Sequence, residues 1–189
     1  AFALFRWHEK ARGRCSCDYA FHLALSDWNE SISRELDDVV RSGIRSFKLY
    51  MTYDAMVMDD RSIYEVLVHL KELGGIAGVH CENRGIIDAR LAQVLREKGH
   101  RRDVSDYPGT RPHLAEAEAV SRLLKIAACA DAPVIIVHLS TKEGLREVEQ
   151  ARAAGFRVIS AMAITDDKAH YYPDANMFIT KLVADADSH

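Results

Sequence analysis

Apolar and polar positions along the chain fall into two kinds of run that alternate. Short aliphatic and aromatic runs at 17–25, 46–53, 75–80, 133–139 and 156–161 read as buried strands. Between them lie longer segments with one apolar stripe at helical spacing. Asn29 to Ser42 carries Ile32, Leu36, Val39 and Val40 on one face and stops at Gly43. Ser62-Ile63-Tyr64-Glu65 has capping-box spacing and opens a helix with Val66, Leu67 and Leu70 on one side and Gly74-Gly75 at its end. A third helix is predicted from about Ile86 to Lys98, followed by a polar, basic linker from Gly99 to Tyr107. Pro108-Gly109-Thr110-Arg111-Pro112 then opens a long helix through Ala130, with Thr110 as its cap and Pro112 in its first turn. Ser140-Thr141-Lys142-Glu143 is another capping box, and its helix ends near Gly155.

Strands alternating with helices imply right-handed βαβ units and a parallel sheet covered on both faces, the α/β class. Five strands are counted, beginning near Tyr19, Phe47, Ile76, Val134 and Arg157. A closed TIM-type (β/α)8 barrel needs eight strands and typically about 250 residues. The 189 residues are therefore read as one incomplete barrel domain, 1–189, with 164–189 as a divergent C-terminal tail. The opening Ala1-Phe2-Ala3-Leu4-Phe5-Arg6 has neither an initiator methionine nor a signal-peptide layout, and the expectation is a chain whose beginning has been lost.

Charge and composition remove several classes. A net charge of −3 gives no electrostatic case for nucleic acid or an anionic membrane, and no apolar run approaches the length of a membrane span. The four cysteines, Cys15, Cys17, Cys81 and Cys129, have no zinc-knuckle spacing. Cys81 and Cys129 sit in apolar contexts and are read as small core residues, and a reduced, cytoplasmic chain is expected.

Three polar residues break the strand runs. Lys48 lies inside Ser46-Phe47-Lys48-Leu49-Tyr50-Met51-Thr52-Tyr53, where burial disfavours its ammonium form. Its run alone allows an ion pair, a strand-end lysine turned to water, or a neutral amine able to react with carbon dioxide to a metal-bridging carbamate. His80 and His138 each end an apolar run, at the C-terminal edge where α/β barrels place their chemistry. Imidazole is the commonest metal ligand and in its neutral form suits zinc.

Phe47-Lys48-Leu49-Tyr50-Met51-Thr52-Tyr53, His80-Cys81-Glu82-Asn83, Gly109-Thr110-Arg111-Pro112 and Val137-His138-Leu139-Ser140 resemble, in order and spacing, the consecutive signatures of the dihydropyrimidinase and D-hydantoinase branch of the amidohydrolase superfamily. The resemblance runs from about Trp7 to about Ala163 and implies barrel strands three to seven. It implies a hydrolase of cyclic amides, opening dihydropyrimidines or 5-substituted hydantoins, assembled as a homo-oligomer, tetrameric in that family. It further implies two zinc ions bridged by a carbamylated lysine, matched by Lys48, with His80 and His138 on the more exposed metal. Tyr53 matches the tyrosine that polarises the attacked carbonyl, and Met56 and Met58 fall in the segment that gates the substrate's 5-substituent.

The departures shape the expectation. The family's His-x-His pair has no counterpart here, and neither Asp185 nor Asp187 is placed to replace the strand-eight aspartate. His22 and His170 are read as structural, and Arg111 as a loop anchor. The chain alone is expected to hold at most one metal ion, weakly, with little or no hydrolysis. Two other readings stay open: an allantoinase- or dihydroorotase-like hydrolase on the same fold, and a non-catalytic assembly protein of the dihydropyrimidinase-related kind.

Overall fold

The computed structural model describes residues 2–101, 103–166 and 177–185. Helix α1 (Phe2–Ala11) precedes a two-residue strand β1 (Leu23–Ala24). There follow α2 (Glu30–Arg41), β2 (Ser46–Tyr50), α3 (Asp60–Leu73), β3 (Ile76–His80), α4 (Arg84–Lys98), the short α5 (Tyr107–Thr110), α6 (His113–Ala130), β4 (Val134–Ile136) and α7 (Lys142–Ala153). Strands β5 (Val158–Asp166) and β6 (Met177–Asp185) close the order. The sheet runs β1-β2-β3-β4-β6-β5, with β1 to β4 parallel in chain order.

Register explains how one strand serves two surfaces. Phe47, Ala77 and Val134 are neighbours across the sheet, as are Leu49, Val79 and Ile136. These residues are buried with Leu36, Val39 and Val40 of α2, Val66, Leu67 and Leu70 of α3, Val120 and Leu123 of α6 and Val148 of α7 in one hydrophobic core. Alternation sends Ser46, Lys48 and Tyr50 to the opposite face, beside Ile76, Gly78 and His80. Gly78 has no side chain for a reason of packing: a Cβ there would meet Val137 Cγ1 at 2.8 Å and the His22 ring at 3.7 Å.

Several local expectations change. The first strand shrinks from 17–25 to two residues, because β1 is an edge with a single partner. Helix α3 is capped by Asp59, whose carboxylate accepts from the Ser62 N–H at 2.7 Å, so Ser62 is inside the helix. The long helix starts later than expected, at His113 with Pro112 in the cap position: Arg111 stays outside it at φ −124°, ψ 71°, as a residue before proline does, and Thr110 donates its hydroxyl to the Tyr107 carbonyl instead of capping. In the last capping box Thr141, not Ser140, caps α7. Cys129 is exposed, whereas Cys81 is buried.

The strand beginning near Arg157 also differs from expectation. It is not the next parallel neighbour of β4: β6, drawn from the expected tail, inserts between them and pairs antiparallel with both. β6 pairs with β5 over nine residue pairs and with β4 over two. Asp185 ends β6, while His170 and Asp187 lie outside the described residues.

Candidate active site

The C-terminal tips of β2, β3 and β4 meet at one cluster. His80, the last residue of β3, is buried at 9% exposure. Its Nε2 lies 2.6 Å from Glu82 Oε2, and its Nδ1 lies 3.0 Å from His138 Nε2. A carboxylate oxygen can only accept, so His80 Nε2 carries the hydrogen and donates it. Burial, first, pushes this imidazole below its usual pKa, with His138 and Lys48 adding to the effect and Glu82 opposing it. A neutral ring that donates through Nε2 presents the Nδ1 lone pair to His138.

His138 reaches this position by leaving the strand. Alternation from Val134 and Ile136 would send it toward the helices, yet it sits in a turn at φ +41° with its ring 4.6 Å from that of His80. Tyr53 is likewise held at φ +74°. Asp131, which caps α6, is the third non-glycine with positive φ among the described residues, so two of the three bear on this cluster. Left-handed backbone at bulky residues persists where surrounding structure enforces it, and such positions concentrate at functional sites.

Tyr53 is 40% exposed, and its ring lies 5.0 Å from His80 and 6.0 Å from Tyr50. The Arg111 guanidinium sits 5.4 Å above Tyr53 and 5.2 Å above Tyr107, while its Nη1 donates to Glu82 Oε2. Burial is the largest single influence and opposes the Arg111 charge, but the Glu82 hydrogen bond and charge, with Tyr107 and Tyr53, together hold the guanidinium pKa above its ordinary value. Arg111 is an anchor, as expected, and the carboxylate that it holds is the one bound to His80.

Lys48 shares the face but is not aimed at the two imidazoles. Its Nζ donates to the Leu49 carbonyl at 3.1 Å and rests 3.8 Å from the Tyr50 ring centre. Desolvation, partly offset by Cys81, brings its pKa down to about 8. His22 lies on this side too, with Nδ1 2.6 Å from Ser46 Oγ, and its pKa is lowered by burial and then by Lys48.

The methionines divide. Met56 is half-buried, but Met58 is 4% exposed and belongs to the core. The loop folds back as an extension of β2, with the Met58 N–H donating to the Tyr50 carbonyl at 2.9 Å, and this turns Met58 inward. It therefore presents no exposed surface to a ligand.

Two residues that sequence reasoning passed over frame the site. Glu82 was quoted only as part of a motif, although its place two residues past a strand-end histidine was the available signal. Glu116, in the first turn of α6, is 8% exposed and accepts four hydrogen bonds from Ser140 and Thr141. Among the described residues, no group of three or more His, Cys, Asp and Glu side chains could hold a metal ion.

Parallel strands in chain order, a helix layer on one face and a polar cluster at the strand tips define part of a TIM-type (β/α)8 barrel. Over the stretch that it shares with them, the chain is homologous to D-hydantoinases and dihydropyrimidinases. It is 37% identical over 153 residues to a D-hydantoinase of Streptomyces coelicolor, covering 80% of this chain and 32% of that protein. It is 32% identical over 183 residues to a dihydropyrimidinase of Dictyostelium discoideum, covering 87% of this chain and 35% of that protein. The crystal structure of a dihydropyrimidinase from Brevibacillus agri superposes with a TM-score of 0.77 at 39% identity, over 82% of this chain and 33% of that one. The chain spans about a third of the length of the relatives it matches. No family model matches it.

Proposed function

We propose that this chain carries metal-holding strand tips of a cyclic amidohydrolase that opens dihydropyrimidines or 5-substituted hydantoins. The observation that carries the reading is the lone pair of His80 Nδ1 facing His138 Nε2 at 3.0 Å. Two nitrogens sharing a tetrahedral zinc, with bonds of about 2.0 Å, stand about 3.3 Å apart, so a slight opening of the pair accommodates the ion. Glu82 on the far nitrogen of His80 is the arrangement that orients a ligating histidine and raises its basicity.

Lys48, as its carbamate, would be the third donor once its side chain leaves the Leu49 carbonyl and turns toward the imidazoles, and its pKa of about 8 gives it the neutral amine that carbon dioxide needs. Lys48, His80 and His138 would hold the zinc ion, which when bound would supply Lewis acidity at the strand tips. Tyr53 donates its phenol hydrogen to the substrate carbonyl oxygen as that atom gains charge. The Arg111 guanidinium over the Tyr53 ring, tied through Glu82 to His80, holds phenol and imidazole in register. Met56 lines the loop beside the bound ring, with Met58 supporting it from the core.

A cytoplasmic protein is the reading that its four free thiols support; no helix among the described residues is long and apolar enough to cross a membrane. Exposed Val104, Tyr107 and Leu114 support assembly with further copies. No His-x-His sequence occurs in the chain, which limits it to one ion. Zinc stoichiometry and turnover of dihydrouracil and a 5-substituted hydantoin test the reading on the purified chain. One weakly held ion, lost in His138→Ala, with negligible turnover is expected; zinc binding indifferent to His80 and His138 overturns it.

A further inference from the structure

The turn carrying His138 is fixed at both ends, and one end is fixed by a residue distant in sequence. On the strand side the Val137 N–H donates to the Val79 carbonyl at 3.2 Å. On the other side Glu116 grips the next residues with both carboxylate oxygens. Oε1 accepts from the Ser140 N–H at 2.9 Å and the Ser140 hydroxyl at 2.8 Å. Oε2 accepts from the Thr141 N–H at 2.7 Å and from the Thr141 hydroxyl. A cap for α7 would not need this grip, because Thr141 Oγ1 already accepts from the Gly144 N–H.

The space around the carboxylate is reserved for it. A Cβ on Gly144 would stand 2.7 Å from Leu139 Cδ1 and 3.1 Å from Glu116 Oε2. His138 adopts a left-handed backbone that a histidine does not favour, directly between these two anchors.

We propose that Glu116 is a positioning residue for metal binding: by clamping Ser140 and Thr141 from α6, it holds the His138 turn in the conformation that presents Nε2 to a divalent cation shared with His80. The inference rests on the reading of His80 and His138 as ligands. It goes beyond that reading by assigning the strength of the site to a buried carboxylate that touches neither ligand. Outer partners of this kind change metal affinity by about 10- to 100-fold when removed.

The test is zinc affinity, by chelator competition, of the full chain and four variants. Glu116→Gln replaces one acceptor oxygen by an amide that cannot accept, and about tenfold weaker zinc binding is expected. Val148→Ala loosens α7 in the core without touching the carboxylate, so its zinc affinity is expected to match the parent chain even though its melting temperature falls. This pair separates positioning from general stability. Normal affinity in Glu116→Gln together with lost affinity in His138→Ala overturns the inference and leaves the ligand assignment standing. Normal affinity in His138→Ala overturns both. Should Glu116→Gln fail to fold, Ser140→Ala removes one of the four bonds and keeps the carboxylate; about threefold weaker binding supports the clamp, and unchanged binding overturns it.

Discussion

His80 Nδ1 and His138 Nε2 face each other at 3.0 Å across the tips of neighbouring strands, although 58 positions separate them in the chain. Because Glu82 takes the Nε2 hydrogen of His80, one hydrogen serves the contact, and it comes from His138. In the other neutral tautomer of His138, with its hydrogen on Nδ1, both facing nitrogens would offer lone pairs to a Lewis acid. His80→Ala and His138→Ala should therefore each abolish zinc binding measurable by calorimetry, while leaving far-ultraviolet circular dichroism unchanged. Retention of parental affinity by either variant contradicts this.

Glu82 and Arg111 form a half-buried ion pair that also receives the His80 hydrogen bond. Hydrogen bonds to charged groups contribute about 1.5–3 kcal/mol, and leaving one partner unpaired adds its desolvation. Arg111→Met should thus cost about 2 kcal/mol in urea unfolding. Glu82→Gln combined with Arg111→Met should cost less than the sum of the two, since each single change strands the other group. Strict additivity would show that the pair is not coupled.

Gly78 tests the close approach of β3 to its neighbours. Alanine there would place its methyl 2.8 Å from Val137 Cγ1, in the turn that leads to His138. Overpacking of this kind costs about 1–3 kcal/mol. A lowered melting temperature with weaker zinc binding is expected for Gly78→Ala, and a stability equal to the parent would mean that Val137 yields freely.

Asp59 gives a pH-dependent contribution away from the cluster. Its carboxylate pKa is lowered, chiefly by the hydrogen bonds to Ser62, so stabilisation is present above the unfolded value and lost as pH falls through the folded one. Asp59→Ala should cost about 1 kcal/mol at neutral pH. The difference in melting temperature between parent and variant should shrink below pH 4, where an unchanged difference would assign the effect to something other than the cap.

What the sequence discloses follows from the range of each interaction. Lys48, His80 and His138 are visible because a polar residue in an apolar run is a local signal, and helices α2 and α3 because their stripes and stops are local too. Glu116 escapes because its partners Ser140 and Thr141 lie 24 and 25 positions away, whereas Glu82 stands two residues past His80 and only its Arg111 partner is distant. The start of α6 at His113 follows from Pro112, which keeps Arg111 out of helical geometry. The β5–β6 ladder was not readable, since antiparallel pairing of a late strand with the tail competes with a parallel partner only through contacts distant in sequence.

Lys48 supplies the last prediction. Desolvation lowers its pKa to about 8 from 10.5, so between these values the unfolded chain binds the proton that the folded chain has released. Unfolding free energy must then rise as pH increases from about 8 toward 10.5, and stay at its lower level below about 8, where both states carry the charge. Half burial screens the effect, so direction and pH window are the readout rather than a magnitude. Lys48→Met keeps an unbranched apolar stem while removing the titrating group and its Nζ contact with the Tyr50 ring, and should be more stable than the parent below pH 8 without the alkaline rise. Bicarbonate offers a second handle: carbamate formation consumes the neutral amine, so added bicarbonate with zinc should stabilise the parent at pH 8 and leave Lys48→Met unaffected. Equal stabilisation of both chains would assign the bicarbonate effect to bulk solution and withdraw Lys48 as the third donor.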